Sequence, residues 1–386
     1  MLILKKIVPW ILGTLFAITL ATTTYLVVNN YYLEKNITQQ TVSQAVKSTV
    51  LIITDTINPE DRNLANATGL LGSGTGFFVK VTDDTGYIVT NHHVIANYVK
   101  LGNRLKLKII IPGRPWDYNG TLLGFDPITD IAIVEVKKKD EETWKALAWG
   151  DSYDMALGTT VFSVGHGLNF NWSVTSGIVS AKDRINLRPL NFMLQHDSVI
   201  NSGNSGGPVL NNRGEVVGVN DLLISPRIAS GQKNPGWDGV SIAIPSWQAK
   251  RSVDQILEKG HVTYPDFNFT FDFISTPAEA QRIKRYLGKR TYVKVVYDKN
   301  DADEKLQIEK MGDSALRHED VVYEIDGKPI KSPLEVIKHI VQLNANDVIT
   351  LKVLRGDEKL TVKYALGVFR QEGQSVIVIP PRNTGK

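Results

Sequence analysis

Between residues 47 and 244 the sequence breaks into short runs of β-branched and apolar residues: GTGFFVKV, GYIVTN, LKLKIII, DIAIVEV, TVFSVG, SGIVSA, GPVLN, GEVVGVN and VSIAI. Turn signals such as DDTG, IPGRPWDYNG and NNRG separate them, and evenly spaced short strands bounded by such turns predict an all-β barrel or sandwich. PSWQAKRSVDQILEKG reads as a helix closing this region, with Pro245 in its first turn and Gly260 just past its end.

After Gly260 the rhythm changes. STPAEAQRIKRYLG predicts a helix opening on Thr276-Pro277, with Ala280, Ile283 and Leu287 on one face. KSPLEVIKHIVQL predicts a second, opening on Ser332-Pro333 with Glu335 completing a capping box and Leu334, Ile337 and Val341 at core spacing. The strands TYVKVVY, DVVYEIDG, VITLKVLRG and EKLTVKYAL surround them, so residues 261–370 read as a small α+β domain. The run DKNDADEKLQIEK reads as a solvated insertion, and residues 371–386 as a polar, Pro-rich tail.

At 386 residues two or more domains are expected. With 44 basic and 40 acidic residues the net charge is only +4, which argues against a nucleic-acid partner. Cysteine is absent, removing disulfides, thiolate metal sites and a cysteine nucleophile together. At the N-terminus, Lys5 and Lys6 precede 22 uncharged residues from Ile7 to Val28. That length spans a ~30 Å hydrocarbon core as a helix, and the lysines favour a cytoplasmic tip. No Ala-x-Ala site follows, so residues 1–35 read as an uncleaved anchor rather than a signal peptide.

One hydroxyl stands apart. INSGNSGGPV, residues 200–209, sets Ser205 among glycines and asparagine. A serine nucleophile needs a base, exposure and donors for its oxyanion, and small neighbours allow all three; an ordinary turn has the same composition. The search for a base favours the first reading. YIVTNHHVI brings His92 and His93 to the end of one β-type run, and FDPITDIAIVEV brings Asp130 to the start of another. The order His, Asp, Ser is that of chymotrypsin-like proteases.

GSGTGFFV (72–79), GYIVTNHHVI (86–95), DPITDIAIVEV (126–136), VTSGIVSA (174–181), INSGNSGGPVLNNRGEVVGVN (200–220) and VSIAIPS (240–246) together resemble the HtrA/Deg family of trypsin-like serine proteases. The resemblance implies a chymotrypsin-like double β-barrel over 36–258 followed by a PDZ domain over 261–370. It puts the general base on His93, which directly precedes Val94, with Asp130 holding the imidazole and Ser205 attacking. His92, Asp126, Ser202, His166 and His196 then read as structural or surface groups. The amides of Gly203, Asn204 and Ser205 are the expected oxyanion hole.

Val199, Ile200 and Asn201 are the expected pocket, which without an acidic base fits small or medium aliphatic residues. The mechanism implied needs no cofactor and no metal. The implied substrates are unfolded or membrane-protein polypeptides, the assembly a homotrimer, and the location a bacterial inner membrane with the catalytic domain in the periplasm. A C-terminal peptide is the expected PDZ ligand. Its carboxylate loop maps onto Tyr264-Pro265-Asp266-Phe267, which lacks glycine and carries an acid, so standard capture is not assumed. The segment GHGLNFNW, 165–172, also departs from the family turn. A peptide-binding scaffold with an inactive or conditionally active protease fold is the second reading.

Overall fold

The computed structural model describes residues 2–369 apart from 64–68, 70, 140–142, 168–171, 185–190, 224–239, 268, 273–275, 288–292, 298–301 and 331. The C-terminal tail and residues 168–171 of GHGLNFNW lie outside the described residues. The chain divides into two compact units. One comprises Met1–Leu122, Asp130–Arg184 and Met193–Ala249; the other comprises Leu123–Thr129, Ile185–Phe192 and Lys250–Lys386.

The first unit begins with α1 (Leu2–Lys47), one continuous helix that runs past the expected anchor of residues 1–35. Its Leu15, Phe16, Ile18, Leu20, Leu26, Val27 and Val28 are exposed. Among the described residues, no helix is long and apolar enough to cross a membrane.

Six strands then close into a barrel: β1 (Thr49–Thr56), β2 (Gly72–Val81), β3 (Thr85–Asn91), β4 (Leu105–Ile110), β5 (Asp117–Asp126) and β6 (Ile131–Lys137), in the order β1-β2-β3-β6-β5-β4. The pleat explains β4, whose Leu105, Leu107 and Ile109 are buried while Lys106 and Lys108 alternate with them. Phe77, Phe78, Ile52, Ile88 and Ile133 are fully buried, each worth about 1.5–3 kcal/mol of transfer from water.

A second closed barrel follows, β10-β11-β12-β9-β8-β7. It uses β7 (Thr160–Gly165), β8 (Ser173–Arg184), β9 (Met193–His196), β10 (Pro208–Leu210), β11 (Val216–Leu223) and β12 (Ser241–Pro245). Val161, Val179, Leu194, Val209, Val217 and Ala243 form its core. Between β3 and β4 lies α2 (His92–Leu101). The expected helix after β12 is α3 (Ser246–Lys259), ended by Gly260 at φ +78° with its amide on the Ile256 carbonyl at 2.9 Å.

In the second unit, α4 (Pro277–Leu287) buries Ile283 and Leu287 as its spacing predicted. β14 (Phe269–Asp272), β15 (Val293–Tyr297), β16 (Val321–Ile325), β18 (Val348–Arg355) and β19 (Glu358–Ala365) form one sheet, with β17 (Lys328–Pro329) paired to β16. The run read as a solvated insertion is exposed at Lys305, Leu306 and Ile308–Lys310 and contains a helix, α5 (Ala302–Met311), anchored by Gln307, whose amide bonds both the carbonyl and the N–H of Ala365 at 2.8 and 2.9 Å. α6 (Pro333–Ile340) has the predicted cap: Ser332 Oγ accepts the Glu335 N–H at 3.3 Å. Its buried side chains include Val336 and Ile340, while Leu334 and Ile337 are only partly covered.

β13 (Pro265–Asp266) pairs with β20 (Gly367–Val368). Tyr264, expected near a peptide carboxylate, is 4% exposed. Its hydroxyl donates to Asp126 Oδ2 at 2.5 Å, where the hydroxyls of Ser252 (2.7 Å) and Thr129 (2.5 Å) also donate. Burial pushes the Tyr264 phenol well above its ordinary value, and the Asp126 charge adds to this. A buried carboxylate needs such donors, and these bonds gather Leu123–Thr129 with the C-terminal part of the chain. Asp126 is therefore a buried anchor and not only a turn residue.

Candidate active site

β3 ends at Asn91 and the chain turns into α2, so His92 and His93 occupy the first turn of a helix rather than adjacent strand positions. Free N–H groups at a helix N-terminus attract a carboxylate, and Asp130 provides it from the turn before β6. Its Oδ1 accepts the His93 N–H at 2.8 Å, and its carbonyl accepts the His92 N–H at 3.0 Å and the Asn91 Nδ2 at 3.1 Å. Asp130 adopts φ +61°, an uncommon conformation that Asp tolerates better than most residues. The other carboxylate oxygen, Oδ2, lies 2.5 Å from Nδ1 of His93. One buried acid thus caps the helix and orients the imidazole. His92 Nδ1 stands 4.0 Å from Asp130 Oδ1.

Ser205 sits in the turn before β10. Thr75, in the GSGTG stretch of β2, holds this turn from the other barrel: its N–H donates to the Ser205 carbonyl at 2.8 Å and its hydroxyl to the Gly203 carbonyl at 2.7 Å. Thr75 Oγ1 also accepts the His166 N–H at 3.0 Å. In the sequence, a hydroxyl among glycines in a strand is the only signal of the part that Thr75 plays. The Ser205 hydroxyl donates to the carbonyl of Asp221 at 3.0 Å. Asp221 Oδ1 in turn stands 3.9 Å from His93 Nδ1. Ser205, His93, Asp130 and Asp221 therefore meet at one place, and Asp221 is a member the sequence reading missed. A charged residue inside the apolar run EVVGVNDLL was its only trace.

Among the described residues, the amides of Gly203 and Ser205 donate to no other backbone carbonyl. The Asn204 N–H is occupied by the Asn201 carbonyl at 2.9 Å, which corrects the expectation that it serves as a third donor. Of the expected pocket residues, Val199 is 47% exposed, Asn201 is partly buried and Ile200, at 4%, belongs to the core.

Below them runs a buried polar chain. Ser198 Oγ lies 2.6 Å from His196 Nδ1 and 2.9 Å from Ser163 Oγ, which also reaches Asn220 at 3.3 Å. His196 is fully buried, and desolvation lowers its pKa to about 4. The folded protein refuses a proton that the unfolded chain, with a histidine pKa near 6.5, accepts. Stability present above pH ~6.5 is therefore lost as pH falls toward 4, by up to about 3 kcal/mol. Melting temperature measured across that window is expected to fall more steeply for the wild type than for His196→Gln.

His93, Asp130 and Asp221 bring one donor atom each within 4.8 Å of one another, close enough to surround a cation. The 2.5 Å contact, however, needs a proton between Nδ1 and Asp130, which occupies the lone pair a metal would require. The arrangement is that of an imidazole held by carboxylates.

Comparison with known proteins agrees with this geometry. The trypsin-like peptidase domain family matches residues 74–219 and the PDZ domain family residues 289–366. A probable periplasmic serine endoprotease, DegP-like, of Chlamydia trachomatis is 32% identical over 292 residues, 75% of this chain and 52% of the relative. The serine protease Do-like HtrA of Bacillus subtilis is 30% identical over 316 residues, 76% of this chain and 63% of the relative. The chain thus spans about half to three-fifths of the length of these relatives. The solved HtrA-type protease AlgW with tripeptide superposes with a TM-score of 0.65 at 21% identity, covering 86% of this chain and 98% of that one. A trypsin-like peptidase domain followed by a PDZ domain, with relatives so named, means that the chain belongs to the HtrA/Deg family of serine proteases.

Proposed function

We propose that the protein is a serine endopeptidase in which Ser205 attacks a peptide carbonyl, His93 takes its proton and Asp130 fixes the imidazole. The observation that carries this is the Asp130 carboxylate on His93 Nδ1 at 2.5 Å, beside a Ser205 whose loop is clamped by Thr75. The proton of Ser205 Oγ passes to Nε2 as the Oγ–C bond forms. The carbonyl π electrons move onto oxygen, and the Gly203 and Ser205 N–H groups donate hydrogen bonds to the oxyanion. His93 then gives its proton to the departing amine, and water, activated by the same imidazole, releases the acyl group.

Val199 at the exposed edge of the pocket, with no acid beside it in sequence, favours small or medium aliphatic side chains before the cut. The substrates are read as unfolded or membrane-bound envelope polypeptides, following the periplasmic relatives. Family likeness also supports a homotrimer, and the PDZ domain a peptide ligand. The 22 uncharged residues from Ile7 to Val28 and the exposed apolar side chains of α1 support a single-pass anchor. The test is hydrolysis of unfolded casein by the full chain in detergent, with product ends sequenced. Cuts after Val, Ala or Ile that vanish in Ser205→Ala are expected; no cleavage by folded protein would favour a peptide-binding scaffold.

A further inference from the structure

β11 changes register with β12 between Asn220 and Leu222, so Asp221 sits in a β-bulge. Bulges beside active sites re-aim a side chain out of the regular pleat. Its neighbours are held on both sides: the Asn220 carbonyl accepts the Gly206 N–H at 2.8 Å and the Asn220 N–H donates to the Gly207 carbonyl at 2.8 Å, while Leu222 pairs with Ile242 of β12. The bulge leaves the Asp221 carbonyl to accept the Ser205 hydroxyl at 3.0 Å, and brings the carboxylate to 3.9 Å from His93 Nδ1. The Asp221 side chain is fully buried, whereas that of His93 is 44% exposed.

We propose that Asp221 is a second carboxylate partner of His93, a positioning residue that stabilises the imidazolium formed when His93 takes the Ser205 proton. This rests on the reading of His93 as base and Ser205 as nucleophile. An opposite charge within ~4–6 Å favours the charged form of a histidine, and a buried charge is poorly screened by salt. Among the described residues, the titratable groups at this cluster are Asp130 from the turn before β6 and Asp221 from β11, both beside His93 Nδ1, and His92, whose Nδ1 stands 4.0 Å from Asp130 Oδ1. His92 opposes proton uptake when charged; the two carboxylates favour it. Asp130 and Asp221 also repel each other, so the acid limb of the rate profile belongs to the trio rather than to one residue.

Asp221→Asn keeps the shape and removes the charge. In the full-chain protein, on a fluorogenic peptide cleaved after valine, kcat is expected to fall about tenfold with KM changed little, and the acid limb of kcat/KM to move down by about one pH unit. A folded variant with an unchanged limb and kcat within about twofold of wild type would overturn the proposal. Should the variant not fold, Asp221→Ser and its parent, both in a Ser205→Ala background, are titrated by 15N NMR. A His93 midpoint lower by about one unit in Asp221→Ser is expected, and an unchanged one overturns the assignment. A wild type inert toward every peptide would instead defeat the underlying protease reading.

Discussion

Ser205→Ala is expected to lower kcat for peptide hydrolysis by about 10⁶-fold, roughly 8 kcal/mol of transition-state stabilisation, while leaving the melting temperature almost unchanged. The size follows from the chemistry: without Oγ no acyl-enzyme forms, and the base has nothing to deprotonate except water. The small structural cost follows from the position. Ser205 contributes one hydroxyl bond to the Asp221 carbonyl, and its backbone, which the substitution leaves intact, carries the contact with Thr75. His93→Ala is expected to cost about as much in kcat, and the double variant little more, because the groups act as a unit.

Gly206→Ala is expected to be the most damaging single-methyl change near the site. Gly206 has φ +85°, and an added Cβ would fall inside contact distance of the Thr75 carbonyl oxygen and the Thr90 hydroxyl. Neither atom can retreat: the Thr90 hydroxyl donates to that same Thr75 carbonyl at 2.8 Å, and both residues lie in paired strands. The left-handed conformation costs about 1–2 kcal/mol with a side chain, and overpacking a further ~1–3 kcal/mol. A loss of about 2–5 kcal/mol in urea unfolding is expected, with a large fall in kcat as the adjacent Ser205 is displaced. Gly158→Ala is the control, since Gly158 has φ +82° but open space around its Cβ position. It should lose only the backbone part and keep its activity.

The residues of the site were legible where chemistry is written in short local strings. His93, Asp130 and Ser205 each sit in a motif whose order points to one catalytic arrangement, and the family resemblance singled out His93 from His92 and Asp130 from Asp126. Asp221 and Thr75 were not legible because their importance is three-dimensional: a bulge re-aims one, and the approach of two barrels gives the other its bonds. The same division runs through the fold. The Ser332-Pro333 cap of α6 is local and was readable, whereas Leu334-Ile337-Val341 and Val336-Ile340 both satisfy a helical period; Val341 is buried as expected, and the sheet beneath selects Val336 and Ile340 over Leu334 and Ile337. α5 is largely exposed, as its mostly polar sequence predicted; its buried anchor is Gln307, which no hydrophobic pattern marks. Tyr264 and Asp126, far apart in sequence, gave no sign of meeting.

The central claim is that Ser205 is activated by His93. A fluorophosphonate forms a covalent phosphonyl ester with an activated serine and leaves ordinary hydroxyls alone, so labelling of the full-chain protein followed by mass spectrometry of its peptides tests that claim directly. One label is expected, on Ser205, absent from His93→Ala and much slower in Asp130→Ala. A label on another serine, or equal labelling of Ser205 when His93 is removed, would contradict it.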